Sequence, residues 1–153
     1  MNREPRTALS LRSTIATPDG KRRYVRRLFA TIADRYDFIT VVLSFGRDRA
    51  WKRRLVREAG IGARGQVVDL ACGTGDIAFE AAIRGASVTG LDVTLRMIEL
   101  ASAKGRRPVG GVSTNPKFAV ADMMALPLRT ASVDVVTTGY GLRNVPRLED
   151  AVD

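Results

Sequence analysis

A short run of carboxylates and glycines carries the chemistry of this sequence. In Gln66-Val-Val-Asp-Leu-Ala-Cys-Gly-Thr-Gly-Asp76 an apolar stretch containing Asp69 runs into Gly73 and Gly75, and Asp76 to Arg84 then has helical spacing. Strand, tight glycine turn and helix together bring a nucleotide-like ligand against bare backbone. Gly73-Thr74-Gly75-Asp76-Ile77-Ala78 fits the G-x-G-x-x-A form, and Asp92 ends the next apolar run, where a carboxylate can accept ribose hydroxyls. A dinucleotide is therefore compatible with the pattern. Charge favours a different ligand: Asp76 at the helix start and Asp69 beside it repel a pyrophosphate and suit a cation. S-adenosylmethionine has a sulfonium, an ammonium and no phosphate. Both aspartates also serve as simple caps, which either ligand tolerates.

Composition limits what else is possible. The chain has 153 residues, enough for one domain with a core, one cysteine (Cys72) and no histidine. No disulfide within the chain, cysteine-cluster metal site or histidine triad can be built. No apolar run reaches membrane-spanning length and the first twenty residues lack a signal-peptide core, so a cytoplasmic protein is expected. The net charge of +9 is concentrated at the front: residues 1–64 hold 16 Lys/Arg against 6 Asp/Glu, the remainder 9 against 10. Such a segment suits nucleic acid, anionic lipid or an acidic substrate, or is merely a solvated face.

These groups need elements to position them. Residues 1–20 suggest a mobile tail closed by a turn at Thr17-Pro-Asp-Gly20, and residues 21–64 a helical lid. In the lid, Val25, Leu28, Phe29, Ile32, Ala33 and Tyr36 recur at helical spacing among arginines. A loop is expected from Tyr36 to Gly46, then a helix from Asp48 to Ala59 with Trp51, Leu55 and Ala59 inward. Residues 65–153 alternate strands (66–71, 87–91, 117–121, 133–138) with helices (75–84 and 94–104, the latter with Leu95 and Ile98 inward), and residues 105–116 form a loop. This order calls for an α/β fold with a doubly wound parallel sheet, strand order 3-2-1-4. Strand four would then be an exposed apolar edge, which implies either a longer parent chain or a partner or second copy that covers it.

Several segments resemble the ubiquinone/menaquinone biosynthesis C-methyltransferase family of class I, Rossmann-like methyltransferases: Val68 to Asp76, Gly90 to Thr94, Ala121 to Pro127, Gly139 to Val145, Leu28 to Asp37, Leu43 to Gly46 and Arg49 to Arg53. The resemblance implies methyl transfer from S-adenosylmethionine to a ring carbon of a lipid-soluble, prenylated quinol. It places Asp69, Gly73, Thr74, Gly75, Asp92, Val93, Met97, Asp122, Met123 and Gly139 at the cofactor, with Thr74 at the methionine end, Asp92 on the ribose, and Asp122 and Met123 at the adenine. Gly139 stands where many relatives have serine, Thr40 replaces an expected asparagine and Asp48 an expected histidine.

For the transfer itself, positioning supplies most of the help and no metal is required. Asp37, Tyr140 and Arg143 are the candidates for handling a phenolic proton, with Arg143 suited to stabilising a phenolate. Tyr36 and Tyr140 could meet the sulfonium or the ring. The arginine-rich helix with Phe29, Ile32 and Tyr36 could lie on an anionic membrane surface. Two other functions fit the sequence: methylation of nucleic acid, from the basic front, and a non-catalytic cofactor-binding fragment, from the missing strands.

Overall fold

The computed structural model describes residues 15–105, 115–145 and 147–149. Three helices come first: α1 (Pro18–Ile32), then a 3-10 turn (Ala33–Arg35), α2 (Tyr36–Leu43) and α3 (Asp48–Glu58). The alternating part follows as β1 (Gln66–Leu70), α4 (Asp76–Ile83), β2 (Ser87–Asp92), α5 (Leu95–Gly105), β3 (Lys117–Val120) and β4 (Val135–Thr138), with a last 3-10 turn at Leu142–Asn144. All strands are parallel in the order β3-β2-β1-β4, as expected. Most of the expected tail and loop lies outside the described residues, as does the end of the chain.

β1 is central, and Val67 to Leu70 are all buried, as a parallel strand covered on both faces must be. Val67 joins Val56, Ile61, Ile77, Ala78, Ala81 and Val88 in one cluster, while Val68, Leu70 and Leu91 form another on the opposite face. The alanines of α4 let that helix lie close to the sheet. Among the described strands β4 pairs on one side only, with β1, and Val136 is 55% exposed.

Four expectations are corrected. Thr17 to Gly20 is a helix start: the Thr17 hydroxyl accepts from Gly20 N–H at 3.1 Å and Pro18 occupies the first helical position, where a missing N–H costs nothing. Tyr36 to Leu43 is helix, although its β-branched run hides the period. Trp51 is exposed, because α3 turns Asp48, Lys52 and Val56 inward and keeps only Leu55 and Ala59 of the expected face partly buried. Leu95 is exposed too, since Met97, Ile98 and Ala101 fill the inner side of α5.

Candidate functional site

The turn after β1 is wound by three left-handed residues at alternate positions, Ala71 (φ 49°), Gly73 (φ 55°) and Gly75 (φ 85°). The two glycines take this conformation without strain. A Cβ on Gly73 would stand 3.7 Å from the Tyr36 ring, so a side chain there would fill the space between the turn and α2. The turn opens into a cleft at the carboxyl ends of the strands, where open α/β sheets bind ligands. Gly73, Asp92 to Thr94, Met97, Ala121 to Met124, Tyr140, Gly141, Asn144 and Val145 line it, and Arg22, Val25, Phe29 and Tyr36 cover it from α1 and α2.

Two carboxylates face this cleft. Asp92 accepts from Gly73 N–H at 2.9 Å and Thr94 N–H at 2.8 Å, which fixes its plane across the mouth of the turn. Burial pushes its pKa up, and the two N–H bonds oppose that shift. Asp122 accepts from Met124 N–H at 2.9 Å and pairs with Arg22 at 3.1 Å, tying α1 to the end of β3. Each carboxylate oxygen has two lone pairs, so Asp92 can still accept hydroxyl protons from a ligand. Between these groups the walls are apolar: Val93, Met97, Met123 and Ala71.

A second polar cluster lies beside the cleft. The Lys52 ammonium pairs with Asp48 and, at 2.8 Å, with Asp76; Lys104 pairs with Asp37 and, at 3.0 Å, with Asp76. The Thr74 hydroxyl donates to Asp37. Burial alone would raise the Asp76 pKa, but Lys104 and Lys52 outweigh it and hold this carboxyl below its ordinary range. Burial would likewise lower the Lys52 pKa, and its bonds to Asp48 and Asp76 raise it instead. The chain of charges joins α2 and α3 to α4, α5 and the glycine turn.

The electrostatic case made from sequence therefore changes. Asp76 does not present a bare charge to a ligand, because two lysines neutralise it. Asp69 is fully buried in β1, where Thr137 donates to one oxygen at 2.9 Å; among the described residues the other oxygen has no well-formed hydrogen bond, the backbone N–H of Ala78 being the nearby donor that favours its charged form. Desolvation raises its pKa to about 7, against the Thr137 bond, and it does not line the cleft. The carboxylate that disfavours a pyrophosphate in the cleft is Asp92, since Asp122 is paired with Arg22.

Of the expected cofactor residues, Gly73, Asp92, Val93, Met97, Asp122 and Met123 converge on the cleft. Thr74 lines the neighbouring recess with Asp37 and Lys104, and Gly75 is buried at the start of α4 under the Phe118 ring. Gly139 lies at the end of β4, outside the lining. Of the catalytic candidates, Tyr140 lines the cleft and carries the Arg143 guanidinium 5.4 Å from its ring centre. Asp37 is engaged by Lys104 and Thr74 and stands apart from that pair. Cys72 is held as a neutral thiol, because burial pushes its pKa up. Phe29 and Tyr36 stack edge to face at 5.8 Å over the cleft, so they are not free to meet a membrane.

Sequence reasoning missed Arg22, Lys52, Lys104 and Gly141. A Cβ on Gly141 would fall 2.4 Å from the Ala71 Cβ, which requires glycine where the segment after β4 crosses the turn. The one available signal was lysine within the otherwise inward-facing spacing of α3. Long-range partners leave no local mark.

A parallel sheet in this order, with a bare-backbone turn and a carboxylate at the end of β2, is the class I methyltransferase version of the Rossmann-like fold. A solved SAM-dependent methyltransferase from Aquifex aeolicus superimposes with a TM-score of 0.56 at 16% identity, over 65% of this chain and 53% of that one. The chain belongs to the ubiE/COQ5 methyltransferase family, which it matches over residues 17–153. The ubiquinone/menaquinone biosynthesis C-methyltransferase UbiE of Rubrivivax gelatinosus is 39% identical over 128 residues, 84% of this chain and 48% of that protein. The demethylmenaquinone methyltransferase of Deinococcus radiodurans is 37% identical over 135 residues, 87% of this chain and 54% of that protein. The chain thus spans about half the length of these relatives.

Proposed function

We propose that the cleft binds S-adenosylmethionine and that the protein methylates a ring carbon of a lipid-soluble quinol precursor. The observation that carries the first part is Asp92, oriented by two backbone N–H groups, facing an apolar cleft beside a turn in which Gly73 and Gly75 take left-handed backbone. A carboxylate in that place suits ribose hydroxyls and a cationic ligand, and the apolar walls suit adenine. Asp122, held by Met124 N–H and Arg22, is placed to accept from an amino group. The second part follows from family membership and from the names of the relatives.

When bound, the cofactor supplies an electrophilic methyl group on a sulfonium. The chain's own residues do the positioning. Tyr36 and Phe29 close the cleft from above, and their rings exclude water from the reacting face. Tyr140 lines the β4 side, and Arg143 above it supplies positive charge for a phenolate oxygen. Asp37 acts on position: with Lys104 it anchors the Thr74 hydroxyl and hence the turn.

A prenylated acceptor resides in a bilayer, so the protein works peripherally at a membrane surface. Among the described residues no helix is long and apolar enough to cross one. Calorimetric titration of the 153-residue chain with S-adenosylmethionine tests the site, and transfer of labelled methyl to a short-chain demethylmenaquinol in detergent tests the reaction. Saturable binding is expected. Its absence would remove the cofactor assignment, and binding without transfer would leave this chain as a cofactor-binding unit.

A further inference from the structure

The turn between α2 and α3 carries a feature that neither the cofactor cleft nor the core explains. Gly46 N–H donates to Val41 C=O at 2.8 Å and Phe45 N–H to Val42 C=O at 3.1 Å, the paired closing bonds of a Schellman helix end. The position that takes left-handed backbone in this motif usually holds glycine. Here it holds Phe45, with φ 51° and a side chain 94% exposed. A bulky residue in that conformation is strained and gains no packing in return. The turn is otherwise well built: Ser44 Oγ donates to Val41 C=O and accepts from Asp48 N–H, both at 3.1 Å.

Phe45 is the tip of a larger apolar face. Phe38 and Leu43 of α2 are 72% and 75% exposed, Val42 is 54% exposed, and Trp51 of α3 is 51% exposed. The helix is apolar on its outer side, which is why its period was invisible in the sequence. Charge around the face has one sign. Of the acidic residues of α2 and α3, Asp37 is taken up by Lys104 and Asp48 by Lys52, while Glu58 lies at the far end of α3 beside Arg54 and Arg57. Arg47 and Arg53 are exposed, and among the described residues neither carries an ion pair, while Arg49 lines a recess with Asp37, Asp48 and Asp76.

We propose that the α2–α3 turn is a membrane-docking tip that seats Phe45 and its apolar neighbours among the acyl chains of an anionic phospholipid bilayer, with the arginines at the head groups. Apolar and aromatic residues above a cationic rim are what interfacial binding requires. A second copy fits less well, because a two-fold contact through this tip would oppose arginine to arginine. The docking tip deepens the proposal that the acceptor is lipid-soluble, and α2 links the two, since Tyr36 at its start covers the cleft.

Co-sedimentation of the chain with vesicles of phosphatidylcholine and phosphatidylglycerol, free of quinol and of cofactor, tests the tip independently of methyl transfer. The wild-type chain is expected to bind at low salt, to release as salt rises, and to bind pure phosphatidylcholine weakly. Phe45→Gly supplies the residue the helix end prefers, so it should unfold at the same temperature or higher while its vesicle partition coefficient falls about tenfold. Leu43→Ser and the double change R47E/R53E should also weaken binding. No wild-type binding at low salt overturns the proposal, as does equal binding by Phe45→Gly. A dimer in solution that Phe45→Gly dissolves would assign the face to a second copy instead.

Discussion

Replacing Asp69 by asparagine isolates what burial does to a carboxylate one strand away from the cleft. The side chain is fully buried and its pKa is raised from 3.8 to about 7, so the folded protein holds this proton more tightly than the unfolded chain does. Below about pH 4 both states are protonated and the group costs nothing. Between about pH 4 and 7 the unfolded chain ionises first, and stability falls as pH rises. Above about 7 both states are ionised and the cost is complete, about 4 kcal/mol for a shift of this size. More than half of it falls between pH 5 and pH 8.

Asparagine keeps an acceptor for the Thr137 hydroxyl and cannot ionise. Its amide N–H groups replace the unpartnered oxygen at a pH-independent cost of about 1–3 kcal/mol. The stability of Asp69→Asn relative to wild type should therefore improve by about 2–3 kcal/mol from pH 5 to pH 8, read by urea unfolding at the two pH values. A difference that stays constant within about 0.5 kcal/mol refutes the buried, proton-holding role. Cofactor affinity should move less than about threefold, because the residue is outside the cleft.

Asp92→Ala should weaken S-adenosylmethionine binding by about 1.5–3 kcal/mol, as for a lost hydrogen bond to a charged group. It should also lower stability, because Gly73 and Thr94 N–H lose their acceptor; unchanged affinity by calorimetry would count against the site. Gly90→Ala would place a Cβ 2.7 Å from the Phe118 ring and 3.0 Å from Cys72 Sγ, and should cost about 1–3 kcal/mol in thermal unfolding. A smaller loss would mean that the ring swings aside. Lys104→Met removes the bridge between Asp37 and Asp76, a partly exposed group, so about 1 kcal/mol of stability is at stake. Hydrogen exchange should quicken in Tyr36 to Leu43, and an unchanged rate there would show that the bridge does not hold α2.

The parallel sheet and its order were legible because β1 to β4 alternate with helices of clear period, and the glycine turn because Gly73 and Gly75 are punctuation. What escaped had no local mark. Lys52 and Lys104 meet Asp76 from 24 and 28 residues away, so the carboxylate that looks bare in the sequence is charge-paired in the fold. α2 was missed because helix detection depends on a contrast between two faces, and Ile39, Val41, Val42 and Leu43 leave little of it. Trp51 shares the four-residue spacing of Leu55 and Ala59 and yet is exposed. The inner face of α3 is instead set by Asp48 and Lys52, which satisfy each other and reach Asp76. Hydrophobicity located the elements, and charge pairing decided which side of two of them faces in.

The basic front of the chain divides accordingly into two populations with different work. Lys21 donates to Val145 C=O, Arg22 holds Asp122 and Lys52 holds Asp76, while Arg96 of α5 reaches back to Asp34. Each of these contacts fastens the N-terminal helices to the elements around the cleft; salt acts weakly on the half-buried Lys52 pair and more strongly on the exposed Arg96–Asp34 pair. Among the described residues Arg47 and Arg53 have no such partners, and both are exposed. A net charge that composition alone attributes to one cause thus comes from a set of cations that shapes the cofactor cleft and a set left for a surface. Lys52 lies between Arg47 and Arg53 in sequence yet turns inward to Asp76, so substitutions at the two arginines can be made without removing that contact.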